Sequence, residues 1–382
     1  MFLPTIISVL VLFGADKVSG TAQCRDCVLL RSCQGAIDYT SAKKNNAEAM
    51  RKIRESFCGT QLINGVTAPK VCCSDFTTDN AYDNRWANSD DDLKDAIASH
   101  PNLSLLPKSC GGIDGNRIVG GKIANIYEFP WMALISHRTR ESSGNDNLQF
   151  KCGGSIINSR YILTAAHCVH NKKIAGVRIG EFDIRSKEDC QGEYPLTICE
   201  SHIQDISVEE VIPHKDYQRT PIENDIALLR LRKPINLTLK NAKPVCLPVP
   251  KELRELQITS GDKRGTVTGW GLTETGSESA ILRKVNIPIL SAVTCREFYN
   301  KNLAPGSPDM TLNKICAGEM DKDSCSGDSG GPLMLEDEVD GIYRTIQYGI
   351  VSFGPRQCGS LFPGVYTDVT KYIKWILDNM KA

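Results

Sequence analysis

The chain has 382 residues, a length that suggests two or three folded units. Its 45 Lys and Arg balance 45 Asp and Glu, which removes the electrostatic case for nucleic acid or an anionic membrane surface as a partner. Sixteen cysteines are many for a compartment that keeps thiols reduced, and their even number fits a full set of disulfides.

Ile6 to Phe13 form a short apolar run, followed by the small residues Ser19, Gly20 and Ala22. The run has the length of a signal-peptide core and is too short to span a bilayer. Residues 1–20 are therefore read as a signal peptide, with cleavage after Gly20 or Ala22, although no Lys or Arg precedes the run. No later apolar run is long enough for a membrane helix, so a secreted, extracellular protein is expected. Asn102-Leu103-Ser104 and Asn236-Leu237-Thr238 are glycosylation sequons, which makes Asn102 and Asn236 candidate glycan carriers.

Residues 24–73 hold Cys24, Cys27, Cys33, Cys58, Cys72 and Cys73. So short a segment buries little core, and disulfides commonly make up the deficit. The cysteine count leaves many pairings open. A zinc site at Cys24 and Cys27 is the rival reading, and the oxidising context and adjacent Cys72-Cys73 argue against it. The spacing from Cys27 to Cys33 and the terminal Cys-Cys resemble the clip domain of arthropod serine proteases. The resemblance implies the pairs Cys24–Cys72, Cys27–Cys58 and Cys33–Cys73. The spacing from Cys24 to Cys27 is shorter than that family usually shows.

Residues 74–117 read as a linker and activation segment. The stretch is rich in Asp, Asn, Ser and Pro and includes Ser89-Asp90-Asp91-Asp92, so an extended, solvated chain is expected, with a short helix near Leu93 to Ala98.

From residue 118 the pattern changes. Short β-rich runs such as Tyr161-Ile162-Leu163, Val177-Arg178-Ile179 and Gly349-Ile350-Val351-Ser352-Phe353 recur between turn residues, as in an all-β barrel or sandwich. Val369, Tyr372, Ile373 and Ile376 recur at helical spacing, so the chain should end in an amphipathic helix. Three blocks carry chemistry: Thr164-Ala165-Ala166-His167-Cys168, Asn224-Asp225-Ile226-Ala227-Leu228-Leu229 and Gly327-Asp328-Ser329-Gly330-Gly331-Pro332. They supply a histidine, an aspartate and a serine in that order. With these flanks, residues 118–382 resemble the chymotrypsin/trypsin family of serine peptidases.

The resemblance implies an all-β fold of two antiparallel β-barrels with a C-terminal helix, preceded by the small disulfide-rich clip domain. A free serine hydroxyl needs a neighbouring base to act as a nucleophile. Ser329 is thus the expected nucleophile, His167 its base and Asp225 the residue that orients the imidazole. The N–H groups of Gly327 and Ser329 should form the oxyanion hole. Asn116-Arg117-Ile118-Val119-Gly120-Gly121 lies where zymogens of the family are cut. Cleavage after Arg117 would free the Ile118 amine to pair with Asp328, and an Arg at that bond implies a trypsin-like activating protease. Asp323 matches the floor of a pocket for Arg or Lys, with Ser352, Gly354 and Gly364 as walls. Phe353 stands where the family usually has Trp, and Pro363 argues against sodium activation.

The same resemblance implies the bridges Cys110–Cys246, Cys152–Cys168, Cys295–Cys316 and Cys325–Cys358. It leaves Cys190 and Cys199, and a Cys190–Cys199 bridge resembles the easter-like clip proteases. No cofactor is expected for catalysis. A structural calcium ion is expected in a loop similar to that of trypsins, with carboxylates from Glu181 and Asp189 and carbonyls from Asp183 and Ser186. Relatives of this type act late in extracellular cascades of innate immunity or embryonic patterning, and an immune cascade in a haemolymph-like fluid is expected here. The implied partners are a Spätzle-like precursor, prophenoloxidase or a downstream zymogen as substrate, an upstream trypsin-like activator and a serpin. The alternative is a non-catalytic clip-domain cofactor that scaffolds such a cascade. A digestive trypsin is disfavoured, because digestion needs no clip module.

Overall fold

The computed structural model describes residues 24, 27–33, 36, 52–53, 55–63, 66–76, 97–112, 122–140, 146–192, 197–256, 258–260, 263–272, 278–300, 311–319, 327–339, 341–354 and 362–382. The expected signal peptide, Arg117, Ile118, Asp323, Cys325 and Cys358 lie outside them. The chain divides into two units, Met1–Asn88 and Ser89–Ala382.

The first unit contains a three-stranded antiparallel sheet in the order β1-β3-β2, from β1 (Cys27–Leu29), β2 (Phe57–Ile63) and β3 (Val66–Cys72). Its buried apolar cluster is small: Cys33, Ala36, Ile53, Val71 and Phe76. Bridges Cys24–Cys72, Cys27–Cys58 and Cys33–Cys73 tie the strands and flanking turns together. A core of this size cannot offset the chain entropy of folding, so covalent closure of the loops supplies much of the stability.

The second unit begins with β4 (Lys122–Ile123), β5 (Met132–Arg140), β6 (Asp146–Ile156), β7 (Tyr161–Thr164) and β8 (Ile174–Ile179). A side hairpin of β9 (Asp189–Gln191) and β10 (Ile198–Glu200) follows, then β11 (Gln204–Pro213), the short pair β12 (Gln218–Arg219) and β13 (Ile222–Glu223), and β14 (Ala227–Leu231). Six of these strands close a barrel in the order β11-β14-β7-β6-β5-β8. Burial alternates with exposure along most of β11, the period of a strand with one face in the core. The Tyr-Ile-Leu-Thr strand β7 is buried throughout.

The rest of the unit is β15 (Arg264–Gly269), β16 (Arg283–Pro288), β17 (Lys314–Ala317), β18 (Pro332–Val339), β19 (Ile342–Phe353) and β20 (Gly364–Asp368). They form an antiparallel sheet in the order β17-β20-β19-β18-β15-β16-β4. The sheet curls on itself: Ile289, just past β16, bridges Ala317 of β17, and Leu290 N–H donates to Cys316 O at 2.8 Å. Joining the end of β16 to β17 pairs edge groups of β17 that would otherwise be open to other strands. The fold is therefore all-β with two antiparallel barrels, as expected. Val267, Ile287, Ile315, Leu333, Ile346, Tyr348 and Tyr366 fill the second barrel. Three buried polar contacts sew it to the first. Trp131 Nε1 donates to Met334 Sδ at 2.9 Å, Thr268 Oγ1 to Met132 Sδ at 3.0 Å, and Ser155 Oγ to Gln347 Oε1 at 2.5 Å.

The terminal helix is more complex than the periodicity suggests. Val369–Tyr372 form a 3-10 turn whose start is capped by Asp368 accepting from Thr370 N, and the α-helix proper is Ile373–Asp378. Among the described residues no helix is long and apolar enough to cross a membrane.

The linker expectation needs correction between 97 and 112. Pro101–Leu105 form a 3-10 turn, Ile97 is buried in the first barrel's core cluster, and Leu103, Leu105 and Leu106 pack against it. Three leucines within four residues have too much apolar surface for a solvated chain, and the barrel gives them cover. The expected helix near Leu93 to Ala98 is seen at residues 97 and 98, and residues 93–96 lie outside the described set.

The geometry at Asn102 disfavours the expected glycan there. Its Nδ2, the atom that would bear the sugar, donates to both Leu377 O and Met380 O at 2.9 Å. Asn236 is exposed, and its Oδ1 accepts from Thr238 N at 3.1 Å and from Thr238 Oγ1 at 2.7 Å, with Nδ2 making no hydrogen bond among the described residues. Peptide mapping of protein made in a glycosylating host should find Asn102 unmodified, and a glycan there would contradict this geometry.

Candidate active site

His167 lies in a 3-10 turn, Ala166–Cys168, directly after β7. Cys168 is bridged to Cys152 of β6, which fixes the turn to the barrel wall. Asp225 immediately precedes the first buried residues of β14 and is itself 1% exposed. The residue before it, Asn224, has φ 51°, a left-handed conformation that Asn tolerates better than most residues. Asn224 is anchored on both sides: Oδ1 accepts from Tyr372 Oη at 3.0 Å, and Nδ2 donates to Asp216 O at 2.9 Å.

Burying a carboxylate is costly unless donors surround it. Asp225 Oδ1 accepts from His167 N at 2.8 Å, and Oδ2 accepts from His167 Nδ1 at 2.8 Å and from Ser352 Oγ at 2.5 Å. Thr367 Oγ1 donates to the Asp225 carbonyl at 2.8 Å. The carboxylate places the imidazole proton on Nδ1, so Nε2 presents a lone pair and can act as a base.

Residues 327–331 form a tight turn that requires glycine. Gly327 and Gly330 have φ 103° and 78°, and a Cβ on Gly330 would lie 2.2 Å from Thr164 Oγ1. Gly330 N donates to Val351 O, and Gly153 N to Ser329 O, at 2.9 and 2.8 Å. The turn is thus held by both barrels. Ser329 is partly exposed. Among the described residues its Oγ makes no hydrogen bond to His167, whose Nε2 lies 3.6 Å from Cys168 Sγ. Catalytic hydrogen bonds are often long in a free enzyme and tighten in the substrate complex. Among the described residues the N–H groups of Gly327 and Ser329 have no acceptor.

The Asp328 carboxylate lies against the backbone of Gly269-Trp270-Gly271. Its Oδ1 accepts from Gly271 N at 2.9 Å. A Cβ on Gly269 would sit 2.1 Å from that oxygen, and one on Gly271 would sit 2.6 Å from the carboxyl carbon. The two glycines are therefore what make room for the carboxylate.

Of the expected specificity residues, Ser352 is buried, Gly354 directly follows β19 and is exposed, and Gly364 begins β20. Tyr299 Oη donates to Pro363 O, next to Gly364. The Phe353 ring meets Tyr299 edge-on with centroids 5.8 Å apart. Cys295–Cys316 ties the helix Ala292–Tyr299 to β17.

The acidic loop 181–189 is knitted by its own groups. Asp189 Oδ1 accepts from Ser186 Oγ at 2.6 Å and from Asp183 N at 3.2 Å, and its Oδ2 from Phe182 N at 3.1 Å. Arg185 pairs with the Asp183 carboxylate at 2.6 Å and holds it below its usual range. Asp183 O accepts from Ser186 N at 3.0 Å. Glu181 and Asp189 are both buried, and burial, then the Asp189 charge, pushes the Glu181 carboxyl upward. Two buried carboxylates whose one basic partner among the described residues is Arg178, 3.4 Å from Glu181 Oε2, fit a cation site in their donor chemistry.

Cys110–Cys246 ties the segment before Arg117 to the second unit's barrels, and Cys190–Cys199 closes the β9–β10 hairpin. Sequence reasoning missed Thr367, Asn224, Gly153, Gly269 and Gly271. The Gly269-Trp270-Gly271 triplet was the one visible signal, since paired glycines mark a close approach of another group to the backbone. Ser352 was expected only as a pocket wall, and its hydroxyl also serves Asp225.

Residues 118–376 match the family model described as Trypsin, and residues 26–73 match that described as the regulatory CLIP domain of proteinases. The CLIP domain-containing serine protease B4 of Anopheles gambiae is 35% identical over 375 residues, covering 96% of this chain and 92% of that protein. Phenoloxidase-activating factor 1 of Holotrichia diomphalia is 37% identical over 366 residues, covering 93% and 90%. The crystal structure of the Drosophila Grass clip serine protease of the Toll pathway superposes with a TM-score of 0.61 at 29% identity, covering 93% of this chain and 94% of that one.

Gly269→Ala should displace Asp328 and with it the turn that carries the oxyanion donors. Hydrolysis of peptide substrates by the processed variant should fall by at least about 10²-fold, the cost of losing one such donor. Activity within a few-fold of the parent would show that Asp328 needs no fixed seat.

Proposed function

This chain belongs to the trypsin family of serine peptidases and carries a regulatory clip domain, and from that premise we propose that it is a secreted zymogen whose triad is His167, Asp225 and Ser329. The observation that carries the triad is the Asp225–His167 Nδ1 contact at 2.8 Å, in a carboxylate 1% exposed. Ser329 Oγ attacks the scissile carbonyl while His167 Nε2 takes its proton. The carbonyl oxygen becomes an oxyanion held by the Gly327 and Ser329 N–H groups. His167 then gives the proton to the leaving amine, and a water molecule repeats the sequence on the acyl-enzyme. Asp225 holds the imidazole in one tautomer and stabilises its cation, and does not itself take the proton.

Activation follows cleavage after Arg117. The new Ile118 ammonium pairs with Asp328, which compensates the partly buried carboxylate and fixes residues 327–329. Asp323 receives Arg, or less well Lys, at the cut site, because a carboxylate can bind the guanidinium through two parallel hydrogen bonds. The relatives named as a phenoloxidase-activating factor and as a protease of the Toll pathway support a place in an immune cascade. The substrate is then prophenoloxidase, a Spätzle-like precursor or a downstream zymogen, and a serpin is the inhibitor. Asn236 carries the glycan. A calcium ion in the 181–189 loop, held by Glu181 and Asp189 with the carbonyls of Asp183 and Ser186, supplies charge compensation to two buried carboxylates and takes no part in the chemistry.

Two measurements test this reading. The full-length protein and its Ser329→Ala variant are cut after Arg117 by a trypsin-like protease that is then removed. Arg-ending chromogenic peptides should be hydrolysed, Phe-ending ones should not, and activity should require both the cut and Ser329. Silence in correctly cut, folded parent protein would favour the scaffold reading. For the loop, millimolar calcium should raise the Tm of the parent protein, and Glu181→Gln should abolish most of the rise; equal Tm values with calcium and with chelator would remove the ion.

A further inference from the structure

Residues 97–106 precede the activation bond, yet they complete the fold of the chain that follows it. The α-helix Ile373–Asp378 ends in long backbone bonds, with Met380 N–H donating to Leu377 O at 3.3 Å, so its end has room for a further donor. Asn102 Nδ2 supplies donors to Leu377 O and Met380 O, each at 2.9 Å. His100 bridges the same two elements: its Nδ1 accepts from Asn102 N at 3.1 Å, and its Nε2 lies 3.0 Å from Asp378 Oδ1. Asn158, in the turn before β7, donates to Leu105 O at 3.0 Å. Ile97 is 4% exposed within the core cluster of the first barrel. Apolar burial, backbone capping and a side-chain bridge therefore act together on one short stretch.

We propose that residues 97–106 form a non-covalent clamp that holds the light chain on the peptidase after activation, independently of the Cys110–Cys246 disulfide. Its partner is the first barrel and terminal helix of the same molecule. The catalytic chain that starts at Ile118 is then incomplete alone, because Ile97 fills part of its first barrel's core and Asn102 adds donors at the end of its last helix. A reducing environment would break the bridge without releasing the clip module. The proposal rests on cleavage after Arg117 as the activating event.

The test uses full-length protein carrying Cys110→Ser and Cys246→Ser together, so that no unpaired thiol remains. It is cut after Arg117 and run on a sizing column in non-denaturing buffer. A reducing denaturing gel of the same sample reports the cut independently of association. The light chain should co-elute with the catalytic chain. Adding His100→Ala and Asn102→Ala should weaken retention about tenfold or more, since the Leu377 and Met380 carbonyls each lose a side-chain donor and Asp378 loses His100. Complete cutting on the gel with a separate light-chain peak would overturn the clamp. If the double serine variant does not fold, the cut parent is reduced, alkylated and run in the same way. A failed cut would count against the activation reading alone. The clamp is then read from uncut Asn102→Ala by hydrogen exchange. Amides of residues 376–380 should exchange at least about tenfold faster than in the parent, and unchanged exchange would overturn it.

Discussion

The buried Asp225 carboxylate is the constraint on which the rest of this peptidase depends. With 1% of its surface exposed, it must be met by donors from the protein. His167 reaches it from the turn after β7, Ser352 from the end of β19, and Thr367 of β20 holds its carbonyl. These groups come from both barrels. The charge is compensated only when the barrels meet in one arrangement, and that arrangement also carries the imidazole to the serine turn. The cost of an unpaired buried charge thus makes fold and catalytic geometry a single problem.

The serine turn shows the same dependence from the other side. Gly153 of the first barrel and Val351 of the second both bond it, and Trp131 crosses the seam to Met334 behind it. The Asp328 carboxylate leaves the turn into space that Gly269 and Gly271 provide. On the proposed activation, a change in the partner of this carboxylate would alter the backbone that presents Ser329 and the N–H groups beside it. The small first unit uses different physics. Its few buried side chains are supplemented by three disulfides, whereas the peptidase relies on extended apolar cores.

Much of this was legible in the sequence because the chemistry imposes local rules. The glycines around Ser329 are needed for positive φ and close approach, and they stand beside it in the chain. The turn around His167 carries its own cysteine, and the short β-rich runs between turn residues announce an all-β fold. Groups that act across long sequence separations were not legible. Thr367 and Ser352 serve Asp225 from more than a hundred residues away, and no local pattern marks them. Asn102 read as a sequon because its sequon is local, while the helix carbonyls that occupy it lie at the other end of the chain. The 97–112 segment read as linker because its acidic neighbours dominate the composition, and its leucines gain meaning only once a barrel face is there to cover them. The terminal helix began with a 3-10 turn because Asp368 caps Thr370, a local hydrogen bond that apolar periodicity does not report.

The most direct test of the account is the steady-state turnover of the processed enzyme carrying Asp225→Asn, measured at neutral pH beside its parent. The amide keeps the shape of the carboxylate and removes its charge and its control of the imidazole tautomer. The account predicts that kcat falls by about 10⁴ with KM little changed, while the circular dichroism spectrum remains that of the parent. A folded variant that turns over within about tenfold of the parent would contradict the claim that this buried charge organises the site.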